Sequence, residues 1–371
     1  MSWLVVTGGA HRRGGQDRAN LELIRYLSAR GREEVHVVTH DVDPEVSSFK
    51  GVRLQIVPRL LGSTVLGERV LERAANRIHA RLGPSGIVVA NGGNYPRSNV
   101  NWVHSIHAVW PVRDEGAPLS RRLFNRAKKW DARVRESRAF HGAELLIANS
   151  PKTAMELVSV AQVPSERVVT IGFGSDPAQR AEARSAEGIR LAFVGALGWD
   201  RNKGLDIALE ALRLLTTTLG EKTTLLVAGP GAVGPWVRRS VELGLAHRVT
   251  FLGMVEDVPA LLRRVDLLIS PVRYEAYGLA IQEALVAGTP ALVSGAAGIA
   301  PRIREVLPQL VVSEQENPKA WARAIEDAAR NLQSVRDRVA RLGEELARRS
   351  WEQMAAEIVS EIEARLVLGR R

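Results

Sequence analysis

Short apolar runs alternate with helical patterns from end to end of this chain, and that alternation restricts its fold more than any other feature. A first series comprises 3–7 (WLVVT), 35–39 (VHVVT), 52–57 (VRLQIV), 86–90 (GIVVA), 100–105 (VNWVHS) and 144–148 (ELLIA). A second follows at 167–171, 190–195 (RLAFVG), 224–228 (TLLVA), 248–252, 266–270 (DLLIS) and 290–294. Runs that are continuously apolar belong to strands buried on both faces, so each series predicts a parallel sheet covered by helices. Two series predict two Rossmann-like, doubly wound α/β domains, with the cleft between them as the default ligand site. A length of 371 residues suits that division. Periodicity is lost near 172–186 (GFGSDPAQRAEARSA), which places the domains at 1–175 and 176–371. The last helix, from about Ser350, is a candidate to pack back onto the first domain.

Composition narrows the class. Hydrophobic residues make up 45% and charged residues 25%, the balance of a soluble globular protein. No stretch reaches the ~18 apolar residues of a membrane span. The opening MSWLVVTGG reads as a buried strand rather than a leader, so the expected compartment is the cytoplasm. With no cysteine, disulfides and thiolate metal sites are excluded. The net charge of +10 is uneven: residues 1–175 hold 25 Lys and Arg against 16 Asp and Glu, so an anionic partner is expected to meet that half.

The stretch 273–295, RYEAYGLAIQEALVAGTPALVSG, carries the most chemistry. It reads as a glycine-bearing turn, Tyr274 to Gly278, opening into a helix at 279–288 and then a buried strand. Glu275 falls on the turn and Glu283 one turn into the helix. Between them lie the free amides of the helix start, an anion site by construction. Carboxylates on either side of a phosphate cradle suit a sugar nucleotide, with its many hydroxyls flanking a diphosphate. Taken alone, the same spacing is more often that of an ordinary amphipathic helix with solvated glutamates.

Several further blocks extend the pattern: FVGALGWDRNKGLDIALEAL (193–212), LLVAGPG (225–231) and RVTFLGMVEDVPALLRRVDLLISP (248–271). Together with the glutamate block and in this order, they resemble glycosyltransferase family 4, retaining enzymes of the GT-B fold. More loosely, TGGAHRRGGQDRANLELIRYLSARG (7–31), VNWVHSIHAVW (100–110) and LLIANSPKTA (145–154) resemble that family's first half. The resemblance implies a donor-binding second domain and an acceptor-binding first domain, with closure excluding water from the reaction.

The resemblance also implies roles. Lys203, followed by Gly204, matches the family's cation for the departing diphosphate, where fixed positive charge stabilises the transition state. Arg201 is taken as its companion, although the family's arginine often stands nearer the strand glycine, where this chain has Gly195-Ala196-Leu197. Glu275 is expected on the donor sugar hydroxyls and Glu283 on the ribose. The backbone of Tyr277, Gly278 and Leu279 is expected to receive the phosphate or sugar. His104 matches an aromatic-x-His pattern at a strand end, and His107 reads as an accessory on the acceptor side. Either histidine is also readable as structural. Gly14 and Gly15 form a loop ahead of a helix starting near Asp17, open to donor phosphates or acceptor, while Asp17 reads as that helix's cap. Front-face attack with retention, the leaving phosphate taking the acceptor's proton, is implied as well.

Asp41-Val42-Asp43 looks like a metal-binding DxD but follows the second strand, the wrong place for that role, so no obligatory metal is expected. The segment 119–138, LSRRLFNRAKKWDARVRESR, has an apolar stripe at Leu119, Leu123, Ala127, Trp130 and Val134 among ten charged residues, eight of them basic. Two readings stay open: a core-facing stripe, or a helix lying on the inner face of an anionic membrane beside a lipid-linked acceptor. No aromatic-basic platform points to nucleic acid. The expected function is transfer of a sugar from a nucleotide-diphosphate sugar to an acceptor hydroxyl. The rivals are a nucleotide-sugar epimerase, hydrolase or phosphorylase on the same scaffold, and a non-catalytic sugar-nucleotide-binding protein. A Rossmann dehydrogenase is disfavoured because no strand runs into G-x-G-x-x-G.

Overall fold

The computed structural model describes residues 2–60, 63–83, 85–114, 116–182, 188–198, 201–215, 219 and 221–368. It contains two parallel sheets. The first orders its strands β3-β2-β1-β4-β5-β6-β7, from β1 (Ser2–Thr7), β2 (Glu34–Thr39), β3 (Val52–Ile56), β4 (Ile87–Asn91), β5 (Val100–Val103), β6 (Leu145–Ala148) and β7 (Val168–Thr170). The second orders them β10-β9-β8-β11-β12-β13, from β8 (Arg190–Val194), β9 (Thr224–Ala228), β10 (Val249–Gly253), β11 (Leu267–Ser270), β12 (Ala291–Ser294) and β13 (Val311–Val312). Every pairing is parallel, and the order in which strands are added reverses at one point in each sheet, between β1 and β4 in the first and between β8 and β11 in the second. At such a switch point the crossover helices leave on opposite faces, so the loops beyond the strand ends part and leave room for a ligand.

The burial pattern explains the pairing. β4, β5, β6 and β12 are buried at every position, as strands covered on both faces must be. Two edge strands depart from the sequence reading. The run 167–171, grouped with the second series, forms β7 and pairs with β6 at the edge of the first sheet, Leu146 opposite Val168. Half-buried at an edge, it carries no pattern that tells one sheet from the other. β13, two residues long, is too short to have a period and was not foreseen.

By packing, the chain divides into two units: Met1–Trp110 with Leu123–Gly174 and Ser350–Arg371, and Pro111–Arg122 with Ser175–Arg349. A single cut at 175 therefore describes most of the chain but neither Pro111–Arg122 nor Ser350–Arg371. The closing helix Trp351–Glu363 packs on the helix Gly15–Arg30 of the first unit. Gly174 makes room for it, since a Cβ there would lie 2.4 Å from Trp351 Cα. Residues 183–187 of the low-periodicity segment and residues 199–200 of WDRNKG lie outside the described residues.

Candidate active site

In the second unit, the loops beyond β8 and β11 meet at the switch point, and side chains from both converge there. The β8 loop ends in a turn of 3-10 helix, Arg201–Lys203, followed by Gly204 and the helix Leu205–Leu214. Gly204 has φ of 76° and approaches the β11 loop so closely that a Cβ would fall 1.9 Å from Pro271 O. Only glycine satisfies both demands. Buried Asn202 then joins the loops: its Nδ2 donates to Tyr274 O at 2.7 Å, and Arg273 N donates to Asn202 O at 2.8 Å. Arg273 completes the staple with two bonds to the Asp206 carboxylate, at 3.0 and 2.9 Å.

That staple sets Lys203 Nζ 2.5 Å from Glu275 Oε2. The side chains are 29% and 23% exposed, and a pair with that much solvent contributes about 1 kcal/mol or less. The ion pair is therefore a consequence of the loop geometry and not its cause. Gly195, at the end of β8, allows the lysine stem to pass, since a Cβ there would stand 3.2 Å from Lys203 Cγ.

The turn carrying Glu275 is pinned by backbone bonds, Gly298 N to Glu275 O at 3.0 Å and Ile299 N to Tyr277 O at 2.9 Å. Gly278, with φ of 110°, is the N-cap of the helix Leu279–Val286 and has no side chain to cap it. The leading amides of that helix thus point out of its start, outside its own hydrogen bonding. Glu283 sits half-buried one turn into this helix. The Tyr277 hydroxyl donates to buried Gln282 Oε1, and burial pushes its phenol pKa up. The Tyr277 side chain is therefore structural, while its backbone shapes the turn. The helix ends two residues before the expected 288, with Gly288 in the left-handed region.

Arg201 goes elsewhere. Successive residues of a 3-10 turn are about 120° apart, so positions 201 and 203 cannot point the same way. The Arg201 guanidinium lies against Gly116, where a Cβ would be 3.0 Å from its Nη2. It lines a cavity of about 560 Å³ with Asp206, Glu210, Arg238, Arg239 and Glu316, a lining that does not include Lys203 or Glu275. Arg201 thus faces this cavity, whereas Lys203 meets Glu275.

In the first unit, His104 follows β5 and is buried, with its ring between Trp102 (centroids 4.7 Å apart) and Phe173 (5.6 Å, stacked). Neither ring nitrogen has a partner among the described residues. Burial lowers its pKa to about 3, so the imidazole is neutral. His107 is built differently. Its Nδ1 lies 2.5 Å from Glu136 Oε1, and its backbone N donates to Glu136 Oε2 at 2.8 Å. Glu136 went unnoticed in the sequence, although an isolated acid in so basic a helix was the available signal. Asn202, Asp206 and Arg273 gave no signal of their own.

The glycine loop stands at the first sheet's switch point. Gly14, with φ of 85°, precedes the helix Gly15–Arg30, and a Cβ on it would meet nothing within 4 Å. Its glycine is required by conformation, not by space. Asp17 does not cap this helix, because the N-cap is Gly14 and Asp17 is already inside the first turn. Its carboxylate instead lies 3.3 Å from His11 Nε2, and burial raises its pKa. The two acids of Asp41-Val42-Asp43 face different partners. Asp43 caps the 3-10 turn Pro44–Ser48, and Asp41 lies 3.5 Å from His11 Nε2.

Residues 3–358 match the family described as family 4 glycosyltransferases in conflict systems. The chain belongs to this family. It is 29% identical over 273 residues to a D-inositol 3-phosphate glycosyltransferase of Nocardia farcinica, a match covering 67% of this chain. That match takes in 56% of the relative, so the chain spans little more than half the length of that protein. WaaG, a glycosyltransferase involved in lipopolysaccharide biosynthesis, superposes with a TM-score of 0.77 at 19% identity, over 98% of this chain and 99% of that one. Anabaena HepE, solved in complex with UDP and glucose, superposes with a TM-score of 0.71 at 19% identity, over 98% and 100%. The fold of this family 4 member is thus the GT-B fold expected from the sequence.

Proposed function

We propose that this family 4 protein is a retaining glycosyltransferase that moves a sugar from a nucleotide-diphosphate sugar to an acceptor hydroxyl. The observation that carries the proposal is the ammonium of Lys203 held beside the carboxylate of Glu275 at the switch point of the second sheet, next to the open helix start at Gly278. An ammonium and exposed helix amides answer the charge of a departing diphosphate. A carboxylate held by its backbone accepts hydrogen bonds from sugar hydroxyls, and Glu283, one turn on, is within the same helix for the ribose. The fixed cation supplies the charge that a metal would otherwise supply, so donor binding needs no divalent ion. Neutral His104, buried without a partner, gains by accepting or donating one hydrogen bond to a sugar hydroxyl on the first unit, since an unsatisfied buried polar group costs ~1–3 kcal/mol. The solved complex of HepE with UDP and glucose makes UDP the first nucleotide to try.

The test is a thermal-shift panel of UDP, GDP, ADP and TDP and their common sugar conjugates, with and without EDTA. At ~100 times its dissociation constant a donor stabilises the fold by about 2.7 kcal/mol. One nucleotide family is expected to raise the midpoint, equally in EDTA, and to lose that effect in Lys203→Ala. A shift from no nucleotide would overturn the reading.

A further inference from the structure

The helix Leu119–Gly142 turns its apolar stripe outward. At 100° per residue, Leu119, Leu123, Ala127, Trp130 and Val134 fall within an arc of about 80°. Leu119 is 69% exposed, Leu123 55% and Trp130 69%. The helix packs on its opposite side, through Glu136, Ala139 and Phe140. The core-facing reading of this stripe is therefore wrong. Single exposed apolar residues are ordinary, but a row of large ones on a helix arc marks a surface with a use.

Charge frames the row. Arg126 and Arg133 border it on one side and Arg138 on the other, all exposed. None of the three has a carboxylate partner among the described residues, whereas Arg135, on another face, is engaged by Glu72 at 3.0 Å. Beside Trp130 lies a cavity of about 500 Å³ lined by Ile106, Val134, Phe140 and Val160 together with Arg133, Arg138 and the His107-bonded Glu136. Apolar side chains edged by unpaired arginines match the two layers of an anionic bilayer surface, acyl boundary and phosphates. Segment 119–138 has eight basic residues to two acidic, which selects an anionic lipid surface over a neutral one.

We propose that the helix Leu119–Gly142 docks this protein on an anionic membrane surface. Leu123 and Trp130 enter the headgroup–acyl boundary, Arg126, Arg133 and Arg138 meet lipid phosphates, and the cavity beside Trp130 accepts an acyl chain. No helix of the described residues is long and apolar enough to cross a membrane, and the docking needs none. This inference stands on exposure and charge, independently of the transferase reading.

The experiment is co-sedimentation of the full chain with vesicles of phosphatidylcholine, alone or with about a third phosphatidylglycerol. The variants are Leu123→Ser with Trp130→Ser, and Arg126→Glu with Arg133→Glu, each checked for native circular dichroism. Wild type is expected to bind the anionic vesicles at least about tenfold more tightly than the neutral ones. Each double variant is expected to lose about tenfold or more. In about 0.5 M salt binding should weaken, since surface charges are then screened. Wild type that does not pellet with anionic vesicles would overturn the proposal, as would double variants that bind like wild type. A dimer in sedimentation velocity that the apolar variant dissociates, with no vesicle binding, would assign the stripe to a second copy of the chain and also overturn it.

Discussion

At the scale of residues, the site depends on backbone approach before it depends on charge. Gly204→Ala places a methyl 1.9 Å from a carbonyl oxygen in a left-handed conformation, and the β8 and β11 loops cannot both stay where they are. We expect a loss of about 2–4 kcal/mol in denaturant unfolding, together with lost nucleotide binding. His104 makes a separate prediction. Its folded pKa, near 3, lies below the ordinary histidine value of 6.5, so below that value the unfolded chain binds a proton that the folded chain refuses. Stability from this group is complete above pH 6.5 and declines as pH falls, by about 1.4 kcal/mol per unit at most. In His104→Phe the fall of melting temperature between neutral and mildly acid pH should be shallower than in wild type; an identical fall would refute the assignment. At this scale Lys203, Gly204 and Glu275 were legible because they fall in ordered blocks between strands and helices. Asn202, Asp206 and Arg273 were not, because a polar side chain that bonds across 67 to 72 positions leaves no local pattern. Arg201 was joined to Lys203 by proximity in sequence, which says nothing about direction on a 3-10 turn.

Elements show what periodicity can and cannot decide. The stripe on Leu119–Gly142 was found from its spacing, but spacing says only that one face is apolar and not what covers it. β7 was found and assigned to the wrong series for the same reason, since pairing partners are a property of the fold. Start signals were more informative. Ser350 accepts from Gln353 N at 3.1 Å while Gln353 Oε1 accepts from Ser350 N at 2.8 Å, a closed capping box for the final helix. Ser350→Ala should lower stability by about 1 kcal/mol, and Ser350→Asp, which keeps an acceptor, by much less. Equal losses for the two would show that the box is not what starts the helix.

Across the whole molecule, the two sheets repeat one plan, and the alternation of apolar runs predicted both because strands covered on two faces have no polar side to disguise them. Most contacts distant in sequence were hidden, but the return of the last helix to the first unit was anticipated. The closing segment Ser350–Arg371 belongs with the first unit, where Trp351, Met354, Ile358 and Ile362 are buried. Burying each such side chain contributes roughly 1.5–3 kcal/mol, so together they rival the whole stability of a typical domain. A chain truncated after Arg349 should therefore fail to give a cooperative unfolding transition for the first unit, while a chain ending after Leu368 should keep it. The central claim is that Lys203 and Glu275 form the donor site of a sugar transferase. Its most direct test is release of nucleoside diphosphate from the nucleotide sugar that shifts the melting point, in the presence of a panel of sugar, inositol and lipid-linked acceptor hydroxyls, with water alone as the control that marks a hydrolase. The account predicts measurable release by wild type and a fall of about 10²–10³ in Lys203→Ala and Glu275→Gln, both still folded. Release that is unchanged in either variant, or no release from any nucleotide sugar by wild type, would contradict it.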